Sequence, residues 1–274
     1  MTRLGVRVRI AGKVGDDWLG RYIVEALRQE GVDISAVLVD PSVKTGVTVA
    51  ITGTQERMLI TFPGAMAAMT GQEVDTAALY EARHLHTGSF YLQEGLRPSV
   101  PLLLRQAVER GLTTSLDPGH DPRQAWDGLE EALPWVDLFL ANEEEAVHIA
   151  ARLSGTGARL LDSRSAGTVL ARRVRRLAVV KRGAHGALLA LPGGRVIESS
   201  PFEVDVADTT GAGDAFDAGF VSQFLKGASL EDCLEFANAC GAVATTYLGG
   251  TPGFPAADGI LAFIRQHGRS RHPS

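Results

Sequence analysis

The chain has 274 residues, of which 27 are Lys or Arg and 32 are Asp or Glu, so its formal net charge is −5. Nearly half of the residues are apolar, which is typical of a globular protein with a large core. The acidic balance argues against a nucleic-acid partner, because such proteins need a positively charged face. No apolar run approaches the roughly 20 residues that span a bilayer, and the N-terminus lacks the apolar core of a signal peptide. We therefore expect a cytoplasmic protein without a membrane partner.

The first predicted elements alternate between strand and helix and then change in character. In chain order they are a strand at 6–11, a helix at 17–30 closed by Gly31, a strand at 36–40, and two hairpin strands at 46–52 and 58–62. The polar run at 53–57 predicts the turn of this antiparallel hairpin. A two-stranded hairpin is marginal alone, so we expect it to pack on the cleft of its own domain or on a partner's hairpin.

After the hairpin the alternation resumes. The further predicted strands are residues 84–86, 113–117, 138–141 and 177–181, followed by a second hairpin of 187–191 with 195–199. The predicted helices are 99–110, 124–133, 143–153, 213–226, 230–247 and 258–267. This order predicts an α/β fold, a single domain over residues 1–274 with a doubly wound, mainly parallel sheet and helices on both faces.

Two local patterns have structural interpretations. Cys233 and Cys240 lie seven residues apart in a predicted helix, about 10 Å along its axis, which is too far for a disulfide. We expect both thiols to be reduced and packed. The arginine-rich run at 172–176 is interpreted as a solvated helix face before the strand at 177–181.

The most informative motif is DTTGAGDAFDAGF at 208–220, which opens a predicted helix. Glycines at a helix start expose backbone N–H donors at the positive end of the helix dipole, which favours an anion. A carboxylate in the same turn adds nothing to phosphate binding, but it suits a site that deprotonates an attacking hydroxyl.

Other interpretations of this glycine turn were weighed against its sequence. A dinucleotide fingerprint needs a third glycine where Phe216 stands. A phosphate-binding Walker loop needs Gly-Lys-Ser or Gly-Lys-Thr, whereas Gly12-Lys13 is followed by Val14. A simple capped helix with an Asp in its first turn stays open on the residues alone.

The run at 208–220 closely resembles the nucleotide-site signature of the ribokinase-like (PfkB) carbohydrate kinases. The resemblance implies ATP as the phosphoryl donor and a sugar or sugar acid as the small-molecule substrate, with a nucleoside as another possibility. It implies that Asp214 takes the proton from the acceptor hydroxyl. It also implies that the backbone amides of Gly211, Ala212 and Gly213 form the anion hole for the transferred γ-phosphoryl group.

Further segments resemble the family in the same order and imply metal ligands. Asn142 and Glu145 match its Asn-x-x-Glu motif, which implies that they hold the water shell of Mg²⁺. A helix N-cap with an acidic first turn explains the same residues and is compatible with that role. Some family members bind a monovalent cation at positions that correspond to Asp208, Thr210, Ala244 and Gly249. The resemblance therefore makes K⁺ a candidate cofactor.

The resemblance also assigns nucleotide contacts to two segments. Lys181, Gly183 and Gly186 lie in a strand–turn segment that resembles the one touching the nucleotide, although a hairpin turn alone explains it. Asn238 lies in a helix that resembles the one flanking adenine. A packing face of small residues is an equally good explanation of that helix.

On the acceptor side the resemblance is less complete. Residues 12–20 and 31–33 resemble the family's second strand–helix unit, although an N-cap at Asp16 or Asp17 explains the first of them. The hairpin at about 45–63 would be a lid over the sugar with its hinge at Pro63–Ala65, and Gly64, Gly88 and Ser89 would bind substrate. A homodimer through the lid hairpin is implied. His84 and His86 share a strand face and are interpreted as structural.

The resemblance runs from about residue 4 to 253. The family begins with a strand that carries a sugar-binding Asp, a Gly-Gly turn and an Asn at a helix start, and none of these is present in this sequence. We therefore expect an intact nucleotide side and a sugar side that lacks its first wall. A second hypothesis follows from the same residues, namely a nucleotide-binding protein without turnover that acts through its lid or a partner.

Overall fold

A computed structural model describes residues 1–52 and 57–267. The chain divides into two compact units, the first being Arg7–Ala125 and the second Met1–Val6 with Trp126–Ser274. Among the described helices, none has both the length and the apolar character needed to cross a bilayer. The expectation of a single domain over residues 1–274 stays a prediction.

The first unit opens with a parallel pair of strands joined by a helix. These elements are β1 (Arg9–Gly15), α1 (Trp18–Gln29) and β2 (Asp33–Asp40). Strand β1 begins three residues later than predicted, at Arg9, where its pairing with Asp33 of β2 begins. Asp17 caps α1 by accepting from the Gly20 N–H at 2.8 Å, as one interpretation of the sequence proposed.

The predicted hairpin is confirmed. It consists of β3 (Val47–Thr52) and β4 (Arg57–Phe62), which pair antiparallel with Val47 opposite Phe62 and Thr52 opposite Arg57. The predicted polar turn falls mostly on residues 53–56, which lie outside the described residues.

The rest of the first unit comprises three helices and a second parallel strand pair. They are α2 (Gly64–Ala68), α3 (Thr76–Leu79), β5 (His84–Thr87), α4 (Val100–Glu109) and β6 (Thr113–Leu116). Strands β5 and β6 pair with His84 opposite Thr113. The strands and α4 lie where the sequence predicted them.

The predicted helix at 124–133 is wrong. Gln124 and Trp126 both have a φ of 52°, which an α-helix does not allow. The Asp121 carboxylate accepts from the N–H groups of Arg123 and Ala125, so a side-chain turn replaces the helical bonds. Trp126 is buried and stacks on His148 with ring centroids 5.4 Å apart. The apolar residues of this segment are therefore buried one by one in an irregular chain and do not form the face of a helix.

The second unit contains a four-stranded sheet and five α-helices among its described residues. Its elements are β7 (Leu138–Asn142), α5 (Glu143–Ser154), α6 (Ser163–Ala171), β8 (Leu177–Lys181), β9 (Ala187–Ala190), β10 (Val196–Ser199), α7 (Ala212–Leu225), α8 (Leu230–Thr245) and α9 (Ala257–His267). The strand order is β10-β9-β8-β7, with β7 and β8 parallel and the others antiparallel.

Helix α6 was not predicted, and the arginine run that follows it is a turn and not a helix face. Arg175 and Arg176 pair with the buried Asp137 at 3.1 and 3.0 Å. The carboxylate therefore fixes two of the arginines that the sequence interpretation left to solvent.

Helices cover both faces of the sheet in the second unit. On one face, Val179 and Leu189 pack in a cluster with Phe220 of α7 and Leu234 of α8. On the other, Gly167 allows α6 to approach Val180, Leu188 and Ala190. The α/β, doubly wound architecture predicted from the sequence is confirmed. Cys233 and Cys240 are buried and unpaired, as expected.

Candidate functional site

The glycine turn that precedes α7 is the best-defined candidate site. Gly211 is the N-cap of α7 and has a φ of 76°, and a Cβ on it would lie 2.8 Å from the Cα of Gly250. Only glycine fits such a left-handed position in contact with another backbone. With a glycine as N-cap, no side chain caps the helix start, and Asp214 lies in its first turn. The backbone amides of 211–213 and one carboxylate thus share a single turn.

The Asp208 carboxylate fastens this turn to the loop after α8. Its Oδ1 accepts from the N–H and hydroxyl of Thr210 at 2.9 and 2.7 Å, and its Oδ2 accepts from the Gly249 N–H at 3.0 Å. The N–H groups of Ala207 and Asp208 donate to the Thr245 carbonyl. The structure thereby brings together Asp208, Thr210 and Gly249, three of the residues predicted for a monovalent cation. The fourth, Ala244, lies in the last turn of α8, next to Thr245.

The carboxyl ends of β7 and β8 place two further predicted residues side by side, since Asn142 is the register partner of Lys181. Asn142 and Glu145 form a capping box in which the Asn142 Oδ1 accepts from the Glu145 N–H at 2.9 Å. The Glu145 oxygens accept from the Asn142 N–H and side-chain amide at 2.9 and 2.7 Å. The structural interpretation of this motif is therefore confirmed.

The same two side chains also fit a magnesium ion. A carboxylate oxygen has more than one lone pair, so the capping bonds leave room for hydrogen bonds to a metal's water shell. Within the described residues, no group of three or more His, Cys, Asp or Glu side chains could hold a metal directly. This donor set matches Mg²⁺, which keeps several waters in proteins.

Lys181 lies against the glycine turn and forms a buried ion pair. Its Nζ is 3.1 and 3.2 Å from the two carboxylate oxygens of Asp217, and the two side chains are 11% and 6% exposed. The same Nζ lies 3.6 Å from the point where a Cβ on Gly213 would be. Sequence reasoning named Lys181 but missed Asp217. The sequence spacing could have identified Asp217, because it lies three residues after Asp214 and therefore on the same face of the predicted helix.

The remaining predicted nucleotide contacts lie around the turn after β8 and the end of β10. Gly186 has a φ of 76°, and a Cβ there would clash with the Ser199 carbonyl at 2.1 Å. Gly183, with a φ of 54°, starts the same turn and has open space around it. Asn238 is buried, and its amide donates to the carbonyls of Ser199 and Ser200 at 3.3 Å. Its role toward a base stays a prediction.

The predicted substrate-binding residues all lie in the first unit. Gly64 has a φ of 48° and starts α2, and a Cβ on it would clash with the Lys44 carbonyl at 2.3 Å. Gly88 and Ser89 follow β5, and Ser89 has a φ of 52°. The segments that carry them are neighbours, because the Gly95 N–H donates to the carbonyl of Ala67 in α2.

The two histidines of β5 are joined by hydroxyl groups. His84 contacts the hydroxyls of Thr113 and Ser115 at 2.8 and 2.7 Å, and His86 contacts that of Ser115 at 2.7 Å. These bonds support the interpretation of both histidines as structural.

A buried lysine in the first unit was not predicted. The Lys13 side chain is almost fully buried and pairs with Glu73 and, at 3.3 Å, with Asp40. The hydrogen bond that Lys13 donates to Glu73 raises the pKa of Lys13 above its ordinary value. Lys13 lines a pocket of about 270 Å³ together with Thr45 and apolar side chains that include Ile23 and Met66.

Backbone donors hold the Asp17 carboxylate in its charged form. It accepts from the N–H and hydroxyl of Thr45 at 2.9 and 2.7 Å, besides the Gly20 N–H. The hydrogen bond from the Thr45 backbone and that from Gly20 lower the pKa of Asp17 to about 2. Asp17 therefore fastens the start of β3 to the start of α1.

The chain is similar to several known kinases. The family model of pfkB family carbohydrate kinases matches residues 1–257. The ATP-dependent ribose-1-phosphate kinase of Halopiger xanaduensis is 32% identical, covering 97% of this chain and 83% of that protein. Fructokinase-1 of Zea mays is 31% identical, covering 97% of this chain and 85% of its own length. An E. coli protein assigned as Ribokinase II, solved with ATP and Mg²⁺, superposes with a TM-score of 0.86 at 26% identity, covering 97% and 85% of the two chains.

Proposed function

The chain belongs to the pfkB family of carbohydrate kinases, and from this premise we propose that it transfers the γ-phosphoryl group of ATP to a hydroxyl of a small sugar or sugar acid. One observation carries the proposal. Asp214 lies in the first turn of α7, directly after a turn in which only glycine fits at position 211. A carboxylate and backbone amides in one turn match what phosphoryl transfer to a hydroxyl needs.

In this proposal Asp214 is the general base. Its carboxylate accepts the proton of the acceptor hydroxyl as the oxygen attacks phosphorus, and the bond to the leaving oxygen of ADP breaks. The backbone amides of Gly211, Ala212 and Gly213 donate to the oxygens of the transferred group, where negative charge is concentrated. Fixed donors and the helix dipole act without reorganisation, which is the main contribution that a protein makes to this reaction.

Asn142 and Glu145 would hold Mg²⁺ through its waters. When bound, the ion neutralises charge on the ATP phosphates. We assign the nucleotide to the second unit, at Lys181, Gly183, Gly186 and Asn238. K⁺ is proposed for the loop of Asp208, Thr210, Ala244 and Gly249, where it would stiffen the turn that ends at Gly211.

We assign the acceptor to the first unit, at Gly64, Gly88 and Ser89 under the hairpin lid. The named relatives act on small sugars, one of them on a phosphorylated pentose. That range supports a small sugar as acceptor without choosing between a free sugar, a sugar acid and a sugar phosphate.

A homodimer through the hairpin is also proposed. Val47 and Val49 of β3 pair with Phe62 and Ile60 of β4, so these four side chains share one face, and all four are exposed. A second copy would bury this apolar face. Light scattering on wild type and Val49→Lys/Ile60→Lys tests it, and we expect a dimer that the charges dissociate. A wild-type monomer at high concentration contradicts it.

The function is tested by assaying wild type with γ-labelled ATP, Mg²⁺ and a panel of sugars, sugar acids, sugar phosphates and nucleosides, with and without K⁺. We expect label on at least one sugar or sugar acid, and a higher rate with K⁺. Label on nucleosides alone would redirect the proposal to nucleoside kinases. ATP binding without transfer to any acceptor would favour a nucleotide-binding protein without turnover.

A further inference from the structure

We infer that Asp217 is a positioning residue, which holds the Lys181 ammonium at the anion-hole turn so that the lysine contacts the phosphoryl group during transfer. The inference rests on the proposed function. It adds a role for Asp217, a residue to which the sequence motif gives none, whereas the motif already identifies Asp214.

The geometry places the pair beside the turn. Lys181 is the last residue of β8, and its Nζ contacts both oxygens of Asp217 at 3.1 and 3.2 Å. The ammonium also lies 3.6 Å from the point where a Cβ on Gly213 would stand. A positive charge is thus held close to where a side chain on Gly213 would begin, beside the turn that would bind the transferred group.

The surroundings of the pair do not need charge for stability. Lys181 continues the row of Leu177 and Val179 along β8, and those residues pack in the same apolar cluster as Phe216 and Phe220, the neighbours of Asp217 on α7. Taking two charges out of water costs free energy that burying an apolar pair of the same size does not cost. Replacing a buried ion pair by apolar residues is therefore often neutral or stabilising. Such a pair contributes little net stability at this position, so its charges can serve a role besides folding.

Electrostatics explains why the lysine needs the carboxylate. The N-terminus of α7 is the positive end of a helix dipole, and it disfavours a cation nearby. Asp217 offsets that repulsion and fixes the flexible four-carbon stem of Lys181. An ammonium has three N–H donors, and in this proposal one of them turns to a phosphoryl oxygen while the contact with Asp217 is kept. The carboxylate acts on the reaction only through the lysine.

The test compares Asp217→Asn, Lys181→Met and the double variant Lys181→Met/Asp217→Leu with wild type. Four quantities are measured, namely kcat, the acceptor KM, the ratio of the ADP and ATP dissociation constants from calorimetry, and the melting temperature. The dissociation-constant ratio reports contact with the γ-phosphate without turnover. Asp217→Glu serves as the conservative variant.

We expect Asp217→Asn and Lys181→Met each to lower kcat about 100-fold, the lower end for loss of one donor to a developing charge, with the acceptor KM changed less than about twofold. We expect the preference for ATP over ADP to fall about tenfold. The double variant should melt near wild type and be no slower than Lys181→Met, because the two residues act as one unit. Asp217→Glu should recover part of kcat.

A matched control is Asp137→Asn, which removes another buried carboxylate that pairs with Arg175 and Arg176 at the amino end of β7. It should lower the melting temperature and leave kcat and the dissociation-constant ratio unchanged. The inference is overturned if the apolar double variant keeps wild-type kcat and ATP preference. It is also overturned if Asp217→Asn lowers only the melting temperature. If wild type phosphorylates no acceptor, the proposed function fails, and the dissociation-constant ratio still decides the inference.

Discussion

The two units of the molecule build their strands in different ways. In the second unit β8 and β9 are buried at every residue except Lys181, and Val179 is 0% exposed. In the first unit β1 and β2 are only partly covered, and Val39 of β2 is 56% exposed. Among the described side chains, large exposed apolar residues lie on strands only in the first unit, at Ile10, Val39, Val47, Val49, Ile60 and Phe62.

Polar contacts hold the first unit where apolar packing is thin. Arg9 pairs with Asp33 and Glu81 at 2.7 and 2.8 Å, and Lys13 and Asp17 make the bonds described above. The proposed nucleotide residues of the second unit lie beside strands that are buried on both faces, whereas β1 and β2 of the first unit are partly open to solvent.

The largest effect is expected in the anion-hole turn, where two glycines at opposite ends of α7 form a matched pair. Gly211→Ala puts a Cβ 2.8 Å from the Gly250 Cα at a φ of 76°, whereas Gly227 has a φ of 77° with open space around it. We expect Gly211→Ala to lower kcat by at least about 100-fold through displaced donors, and Gly227→Ala to cost only backbone strain, about 1 kcal/mol. Steady-state kinetics and thermal unfolding of both variants measure this. Equal losses of kcat would contradict the account.

A pair of valines tests the packing difference directly. Val179→Ala removes two buried methyl groups and should lower the free energy of unfolding by about 2 kcal/mol, including the cavity left behind. Val39→Ala removes the same atoms from an exposed position and should change it by less than about 0.5 kcal/mol. Urea unfolding of both variants gives the two numbers. A larger loss of unfolding free energy in Val39→Ala than in Val179→Ala would contradict the closer packing of the second unit.

Acid should weaken the first unit through Asp17. Its pKa is about 2 in the folded chain against an ordinary value of 3.8, so its contribution to stability is full above about pH 4 and disappears as the pH falls through about 2. Thermal melting of wild type and Asp17→Asn at pH 5, 4, 3 and 2 measures it, and the gap between the two curves should close toward pH 2. Asp16→Asn matches the change in net charge. A gap that widens in acid would contradict the sign.

The smallest effect is expected at the thiols of the second unit. Burial raises the pKa of both Cys233 and Cys240 to about 12, so a very small fraction is thiolate at pH 8. A disulfide reagent should leave the native protein unreacted for hours and titrate both thiols in guanidinium. Fast labelling of the native protein would show that α8 opens readily, which removes the contrast between the units.

The sequence predicted the glycine turn and the capping box of the second unit because both follow local rules. The run at 208–220 has a glycine at position 211. The structure confirms that the backbone needs a glycine there, because the φ of Gly211 is left-handed. Asn142 and Glu145 likewise form the capping box that their spacing indicates. Where one residue type satisfies a local geometric demand, the sequence alone identifies the feature.

Tertiary contacts decided what the sequence missed. The segment at 124–133 has helical spacing, but the Asp121 turn and the stacking of Trp126 on His148 override it. Asp217 and Lys181 are 36 residues apart, and Lys13 and Glu73 are 60 residues apart. No local pattern pairs such residues, so buried ion pairs were found only once the fold brought them together.

Asp214→Asn, assayed for phosphoryl transfer and for ATP binding on the same sample, tests most directly whether Asp214 is the general base. We expect transfer to any accepted sugar to fall by at least about 100-fold, because the base is lost, while the ATP dissociation constant stays within a few-fold of wild type. Transfer at the wild-type rate by Asp214→Asn would contradict Asp214 as the base and, with it, the proposed mechanism.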